Sequence, residues 1–371
     1  MDVHEMFSHP EVEMMVKISG TPWKYEYMAN ETSLTVLELY SDNTTLIESM
    51  DKEAFAIYCG TRNCNLRLDH PDGPLLRVIF AEPLYLPPPS NFAIPPSRRN
   101  DNDNTALLLH YHFNVPMLFF RDQAPVATYL TIGNAMFVRR NSQGELDRLD
   151  GYYQYCSEKE NRKPTHTWFS HSFEPKKKAA NYIIHQCPKE TMKLIRQCAE
   201  GSNPSILARP FAIDAFLLNH LIMEINTMVI EPRATLLSIE RRVFTHEKVK
   251  NVSELHRVAR DVRFIKDTVG ALLETLDNVI SAQKHHMSLV EMGHQVLDPD
   301  RESVRDSLSL LRSKANSIMR EVTSLEGRAS LKIDLEYNLE NQQDSRTNLR
   351  IARLTTDIAA ASQKDSSSMI T

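Results

Sequence analysis

The residues with the clearest potential for metal chemistry are acidic and lie between two helical segments. Asp298, Asp300, Glu302 and Asp306 are close together in the sequence, and carboxylate oxygens are the ligands that Mg²⁺ and Ca²⁺ prefer. Asp and Glu also favour the first turn of a helix, where the helix dipole stabilises negative charge. Because Pro299 marks a turn and a helix start, we interpret the cluster as a helix cap that attracts divalent cations weakly.

Histidines are the other candidate ligands, but their spacing fits no metal-binding motif. His110 and His112 alternate and would share one face of a strand. His166 and His171 flank an aromatic pair, and three more lie near a helix end: His285, His286 and His294. The His-Glu-x-x-His pattern, which places two ligands on one helical face, does not occur. We therefore interpret the histidines as structural.

The sequence contains no motif for nucleophilic or nucleotide chemistry. It has no Gly-x-Ser-x-Gly element and no Walker or dinucleotide fingerprint. Its 10 glycines do not cluster, whereas loops that bind phosphate need such clusters. The formal net charge of −5 gives no overall attraction to nucleic acid. We therefore expect neither an enzyme nor a nucleic-acid-binding protein.

Cysteine usage and hydropathy indicate a cytosolic chain. The 5 cysteines have irregular spacing, which is typical of free thiols in a reducing compartment. No secretory signal is apparent at the N-terminus. The most apolar stretches, 107–120 and 211–230, are interrupted by polar residues and lack the roughly 20 apolar residues that a membrane helix needs. We expect the chain as written not to cross a bilayer.

Two halves of different composition would position any functional residue. The first half, 1–205, reads as an α/β domain with short strands bounded by Gly, Pro, Asn or Asp. The predicted strands are 33–40, 54–59, 75–80, 107–113, 117–120, 126–130 and 135–139. Residues 87–104 are rich in Pro, Ser, Asn and Asp and predict a flexible loop. Residues 141–144 predict a turn, and 189–200 a helix.

The second half, 206–371, predicts three long helices over about 210–244, 252–289 and 301 to the end. Pro232 should kink or break the first. Along the second and third, apolar residues repeat at alternating steps of three and four, which is a heptad pattern. Short connections between long helices favour antiparallel neighbours. The sequence therefore predicts an α+β fold class, with a mixed α/β domain followed by long antiparallel helices.

The last 35 or so residues keep a helical pattern but lose the apolar seam. Leu349, Ile351, Leu354 and Ile358 are followed by three alanines, and Gln, Asn, Ser and Thr occupy much of the remaining surface. Such a helix fits close packing around a hydrated axis. A solvated tail has the same composition, so composition alone leaves both interpretations open.

This terminal segment resembles the stalk helix of fungal CorA-like magnesium transporters, just before their first membrane helix. The run Ile358–Thr371 (IAAASQKDSSSMIT) is similar to the family's stretch of Ala and Ser, then basic-Asp-Ser-Ser, then Met. The upstream segments 341–344 (NQQD) and 348–349 (NL) are also similar. Two features depart from the family: Ile370 follows Met369 where Lys is usual, and no Gly-Met-Asn signature follows Thr371.

The resemblance implies a cytosolic regulatory portion of a divalent-cation transporter that lacks the pore in this chain. It implies a homopentamer, with membrane contact only through a segment missing from this sequence. By resemblance, Met369 and Ser366 would line the pore. It also implies Mg²⁺ as the regulatory or transported ion. Since Mg²⁺ takes oxygen ligands, Asp357 and Asp365 are the candidate ligands.

A different class of protein remains open at this point. A soluble coiled-coil interaction protein would use the heptads of the second and third helices to pair with a partner. It would have no ion transport role and would form dimers or hetero-complexes without a response to metal.

Overall fold

The protein is described here by a computed structural model. It describes residues 32–61, 73–81, 105–116, 119, 133–140, 143–144, 146–156, 164–173, 179–201, 204–241, 249–291 and 299–368. The strands in this part are β1 Leu34–Leu39, β2 Thr44–Met50, β3 Leu76–Ala81, β4 Ala135–Arg140, β5 Leu146–Cys156, β6 Pro164–Ser172 and β7 Ala180–His185. The helices are α1 Lys52–Thr61, α2 Thr105–Phe113, α3 Lys189–Glu200, α4 Ala212–Arg241, α5 Val249–Glu291 and α6 Pro299–Ser368. A 3-10 turn covers Pro204–Ile206.

The chain divides into two compact units that share the long helices. Unit 1 contains Met1–Ile225 and Thr268–Asn316, and unit 2 contains Asn226–Asp267 and Ser317–Thr371. An α+β chain with a mixed sheet and long C-terminal helices confirms the predicted fold class. The division at 205/206 follows the composition of the sequence and stays a prediction.

The seven strands of unit 1 form one mixed sheet in the order β2-β1-β3-β7-β6-β5-β4. The pair β3–β7 is parallel, and the other neighbours are antiparallel. One face packs against α1 and α2, whose Phe55 and Phe113 share a buried cluster with Val36, Ile79 and Trp168 of the sheet. Side chains of α4 and α5 pack on the other face.

A row of polar side chains crosses the face that carries α1 and α2. Directly opposed positions on neighbouring strands share a face, and the register places six polar residues in line. They are Thr45, Glu38, Arg77, Asn181, Ser170 and Asp150, from β2 to β5. A buried row of this kind must satisfy its own hydrogen bonds, since water does not reach it.

Two segments predicted as strands are helices. The Asp51 side chain accepts a hydrogen bond from the Ala54 amide at 2.8 Å and starts α1. The buried residues Phe55, Tyr58 and Cys59 of α1 then have helical spacing. Residues 107–113 lie in α2, where a continuous apolar run fits a buried helix as well as a strand. The prediction that His110 and His112 share a strand face is therefore wrong.

The remaining predictions for the first half have mixed outcomes. Strands at 34–39, 76–81 and 135–140, and helix α3 at 189–200, agree with the sequence. Of the predicted turn, Gly144 adopts a φ of +83°, which favours glycine. Strands β2, β5, β6 and β7 were not predicted. The predicted loop 87–104 and the strands 117–120 and 126–130 lie outside the described residues, except for Phe119.

Unit 2 is a bundle of three helical segments. Arg233 and Glu240 of α4 pair with Glu321 and Arg328 of α6, so these segments run parallel. Segment α5 is antiparallel to α6: Lys266 pairs with Glu326, and His256 contacts Tyr337. The buried seam is Val229, Leu236, Ile239, Leu255, Val258, Val262, Ile265, Ile318, Val322, Leu325 and Ala329. Helix α4 continues through Pro232, so of the predicted kink or break the break is wrong and the kink stays a prediction.

Candidate functional site

The C-terminal part of α6, which begins where Tyr337 contacts His256 of α5, is a largely exposed helix. From Tyr337 to Ser362 every residue is exposed. At about 1.5 Å per residue, this part of α6 is on the order of 40 Å long. The hydroxyls of Thr347, Thr355 and Thr356 donate to backbone carbonyls four residues earlier, each at 2.9 Å. Polar side chains of this segment are thus partly satisfied within the helix itself.

Apolar side chains on this segment are exposed to solvent. Ile351, Leu354 and Ile358 are spaced three and four residues apart, so they lie on one face of the helix. We call these three residues the tail stripe. Their exposed fractions are 56%, 54% and 69%. Leu349 lies on the opposite side of the helix, because two residues span about 200°.

Three of the four residues predicted from the resemblance fall at this end of α6. Asp357 is exposed within the helix. Asp365 and Ser366 belong to α6, whereas Met369 lies outside the described residues. Within the described part of the chain, no three residues among His, Cys, Asp and Glu are placed to hold a metal ion.

The acidic cluster near residue 300 lies where α6 begins. Helix α6 starts at Pro299, so Asp300 and Glu302 fall in its first turn. Asp306 lies 3.5 Å from Arg305. Asp298 lies outside the described residues, and the interpretation of the cluster as a helix cap stays a prediction.

Glu38 and Arg77 form a buried ion pair on the polar row. The Arg77 Nε donates to Glu38 Oε1 at 2.9 Å, and Glu38 also accepts from the Tyr58 hydroxyl at 2.7 Å and the Tyr40 hydroxyl at 2.9 Å. Burial alone would raise the pKa of Glu38, but the charge of Arg77 and these hydrogen bonds lower it below 4.5. Arg77 also lies over the Phe113 ring, 5.5 Å from its centroid.

The other end of the polar row is less well satisfied. Arg139 pairs with Asp150 Oδ2 and donates to the Asn114 carbonyl at 2.6 Å. Burial raises the pKa of Asp150, and the charges of Arg139 and Arg148 oppose that rise. Ser170 contributes a hydrogen bond that lowers the pKa of Asp150. Among the described residues, Asn181 Oδ1 is buried and no hydrogen-bond partner is placed near it.

A third polar cluster lies on the opposite face of the sheet, around Asp214 of α4. The Tyr153 hydroxyl donates to Asp214 Oδ1 at 2.8 Å, and the Tyr182 hydroxyl donates to Oδ2 at 2.5 Å. His171 Nε2 lies 3.0 Å from the same Tyr182 oxygen. Asp214 is 0% exposed. Burial raises its pKa to about 7, against the lowering effect of the two tyrosines.

Aromatic rings connect this cluster to the helices. His171 stacks on Phe211 with ring centroids 4.2 Å apart, and His286 of α5 contacts His171 at 5.6 Å. His286 also stacks on Phe173, and its Nε2 lies 3.2 Å from the Ser172 carbonyl oxygen. Phe211 precedes α4 with a φ of +66°, a conformation that bulky residues rarely adopt. Histidines interpreted as structural are thus packed within a buried cluster.

The cluster around Asp214 was not predicted from the sequence. Its members come from β5, β6, β7 and α4, and no short motif connects them. One signal was available: Asp214 is the acidic residue in the first turn of an otherwise apolar helix start. A buried carboxylate of this kind requires hydrogen-bond partners.

One described helix has the length and hydropathy of a membrane span. It is α4, and half of its most apolar window is buried within the protein. Buried core helices of soluble proteins meet the same criteria, so α4 is assigned to the core on the basis of its buried face.

Comparisons with known proteins give matches of structure alone. No family model and no curated protein matches the sequence. The complete CorA magnesium transporter of Methanocaldococcus jannaschii is similar with 11% identity and a TM-score of 0.47, covering 89% of this chain and 84% of that one. The ZntB cytoplasmic domain of Vibrio parahaemolyticus has 11% identity and a TM-score of 0.34, covering 79% of this chain and 97% of that one. The soluble domain of the M. jannaschii CorA gives a TM-score of 0.35 with the same identity and coverage.

Proposed function

We propose that this chain is the cytosolic regulatory portion of a CorA-like divalent-cation transporter or channel, and that its copies associate through the exposed part of α6. The observation that carries the proposal is the tail stripe. Isolated helices gain little stability in water, and most helical stability in proteins comes from packing of an apolar face. A long helix that exposes two isoleucines and a leucine on one face is therefore suited to self-association.

The burial of the heptad seam of α5 and α6 favours self-association through the tail stripe over a coiled coil with a partner protein. In unit 2 the seam residues of both helices are buried within the chain. They are not available to a coiled-coil partner in the folded protein. The tail stripe is one exposed apolar surface of α6, and Leu331, Leu335, Leu339 and Leu349 of the same helix are exposed as well.

Magnesium fits this arrangement as a regulatory or transported ion shared between copies. Mg²⁺ keeps several waters and takes few carboxylates, and a single exposed Asp357 does not hold it alone. We propose that Asp357 and Asp365 supply carboxylate ligands where neighbouring copies meet. By the same proposal, Ser366 and Met369 face the axis of a pore at the cytosolic side of a membrane.

The first test measures the mass of the full chain by analytical ultracentrifugation, with and without Mg²⁺. We expect a homo-oligomer, with five copies as the proposed number, whose dissociation is altered by Mg²⁺. Ile358→Asp should weaken association by at least about tenfold, because it removes one buried apolar side chain per copy. Ser345→Asp, an exposed change on the same helix away from the stripe, is the matched control.

A second variant tests the role of the metal. Asp357→Asn should retain the oligomer and reduce its response to Mg²⁺. A dimer that is insensitive to Mg²⁺ would instead support the soluble interaction protein. A monomer at micromolar concentration, with or without Mg²⁺, would refute the association on which the proposal depends.

A further inference from the structure

The cluster around Asp214 differs in its partners from the two buried carboxylates of the polar row, Glu38 and Asp150. Glu38 pairs with Arg77 and Asp150 pairs with Arg139. Asp214 accepts hydrogen bonds from two neutral tyrosines, and among the described residues no Lys or Arg contributes to its pKa. A buried carboxylate without a cation is stabilised by binding a proton instead.

The hydrogen bonds define where protons lie in the charged form. Since Tyr153 and Tyr182 both donate to Asp214, the Tyr182 oxygen is free to accept. His171 Nε2 at 3.0 Å is placed to donate to it, which makes His171 a neutral Nε2–H tautomer. Burial first, and then the charge of His286, hold the pKa of His171 well below 6.5, in agreement with a neutral ring.

Every element packed around the cluster contributes a titratable group. They are Tyr153 of β5, His171 of β6, Tyr182 of β7, Asp214 of α4 and His286 of α5. Burial raises the pKa of both tyrosines well above 10, so they stay protonated near neutral pH. His171 stays neutral for the reason given above. Among Tyr153, His171, Tyr182 and Asp214, it is therefore Asp214 whose charge changes in the neutral range.

We propose that Asp214, Tyr182 and His171 form a buried proton-binding site that couples protonation to the packing of α4 and α5 on the sheet. The inference is independent of the proposed transport function. The ligand is a proton, and its binding atom is a carboxylate oxygen of Asp214.

Proton binding changes the direction of the hydrogen bonds without changing their number. A proton on Asp214 Oδ2 is donated to the Tyr182 oxygen. Tyr182 then donates its own proton to His171 Nε2, and the His171 proton moves to Nδ1. The net change is one proton taken up from solvent. The cluster keeps its contacts, but His171 becomes the other neutral tautomer. Its Nε2 then accepts a hydrogen bond and its Nδ1 becomes the donor.

The site is placed to act on the two helices. Asp214 lies in the first turn of α4, and Phe211 immediately before that helix stacks on His171. His286 of α5 contacts both His171 and Phe211 through its ring. A change in the charge of Asp214 or in the tautomer of His171 therefore reaches the start of α4 and the end of α5 within unit 1.

The sign of the effect follows from the pKa of Asp214. It lies at about 7 in the folded protein, against 3.8 for the ordinary group. An opening that exposes Asp214 to solvent therefore releases a proton between these two values. The opening equilibrium constant then rises about tenfold per pH unit up to about pH 7, and it is constant above that pH.

The test is hydrogen exchange of the full chain, followed in peptides from the first turns of α4, for wild type and Asp214→Asn. The ratio of their opening constants at each pH cancels intrinsic exchange chemistry and the titration of His171, which both proteins share. We expect the ratio to rise about tenfold per pH unit from pH 5 to 7 and then level off. A ratio that does not depend on pH would overturn the proposal.

Two further variants distinguish proton binding at Asp214 from an effect of packing alone. This test does not depend on the stability of the Asp214→Asn variant. Infrared spectroscopy of protein with carbon-13 aspartate carboxyls should show a carboxylic-acid band that disappears near pH 7. Tyr182→Phe should move the midpoint of this band to higher pH, because Asp214 loses its strongest donor. Tyr153→Phe should move it less and should leave the link to His171 intact. A midpoint that Tyr182→Phe leaves unchanged would refute the site.

Discussion

Arg77→Met is expected to leave a buried negative charge on Glu38 without its cation. Glu38 is 0% exposed and Arg77 is 5% exposed. Methionine keeps most of the apolar volume against Phe113 but removes the hydrogen bond and the charge. Breaking a buried pair in this way typically costs about 3–5 kcal/mol in the free energy of unfolding. We expect a loss of this size for unit 1 at pH 7.

The double variant Glu38→Gln/Arg77→Met separates two contributions to the loss of stability. One is the loss of the ion pair, and the other is the cost of burying the Glu38 charge without a cation. The glutamine side chain that replaces Glu38 would be neutral and would still meet the Tyr58 and Tyr40 hydroxyls. The remaining loss then reflects hydrogen bonds between neutral groups, about 1 kcal/mol each. The double variant should therefore be more stable than Arg77→Met alone, although it carries one more substitution.

The contribution of Glu38 to the pH dependence of stability should differ between wild type and Arg77→Met, and the difference between the two proteins cancels groups such as Asp214 that both share. In wild type the pKa of Glu38 is below 4.5, so its contribution is present above pH 4.5 and is lost as the pH falls through the folded value. Without Arg77, burial becomes the dominant effect and raises the pKa of Glu38. Relative to wild type, the variant should then gain stability as the pH falls from 7 towards 5.

Urea unfolding followed by tryptophan fluorescence measures these values, because Trp168 is buried on the same face of the sheet. Measurements at pH 5, 6 and 7 give the slope for each protein. A loss below about 1 kcal/mol for Arg77→Met, which is the range of exposed pairs, would refute the reasoning. A double variant less stable than the single one would refute it equally.

Three smaller predictions rest on single contacts. Gly151→Ala should cost about 1–3 kcal/mol in unfolding free energy, because its Cβ would lie 2.4 Å from Phe169 Cζ; Phe169→Leu in the same protein should recover part of the loss. Arg328→Met should cost no more than about 1 kcal/mol, because Arg328 and Glu240 are 38% and 33% exposed; a larger loss in urea unfolding would contradict this. Burial holds the pKa of His166 well below 6.5, so its contribution to stability is lost as the pH falls below 6.5, and His166→Gln should flatten the decline in thermal midpoint between pH 7 and 5.

The long helices were predictable because their pattern repeats over many turns. The predicted ranges 210–244 and 252–289 correspond to 212–241 and 249–291 in the structure. Helix α3 was predicted at its observed bounds, since Pro188 precedes an amphipathic segment whose buried face is Thr191, Ile195 and Ala199. Each of these helices could therefore be predicted from the apolar spacing within its own segment.

The sheet was harder to predict because several of its strands lack the alternation of apolar and polar residues that is typical of a half-buried strand. β5 and β6 carry Asp150, Gln154, His166 and Ser170 on the buried face. A pattern search expects apolar residues at such positions. These strands depend on cross-strand partners for their polar groups, and those partners are distant in the sequence.

The same reason explains why the buried clusters could not be derived beforehand. Tyr153, Tyr182 and Asp214 become neighbours because β5, β6 and β7 pair in one register and α4 begins above them. A slip of one residue in any of these strands would turn its side chain to the other face. The Asp214 cluster is therefore a property of the strand register, and the sequence indicates only that Asp214 needs a partner.

The tail of α6 is the opposite case. The apolar spacing of the tail stripe is clear in the sequence, but in the single chain these side chains are exposed. Thr347, Thr355 and Thr356 satisfy their hydroxyls within the helix. A helix that only needed to stay soluble would gain from polar residues at 351, 354 and 358. Apolar side chains at these positions are stabilised by an apolar helical face at matching spacing. A second copy of α6 carries that spacing.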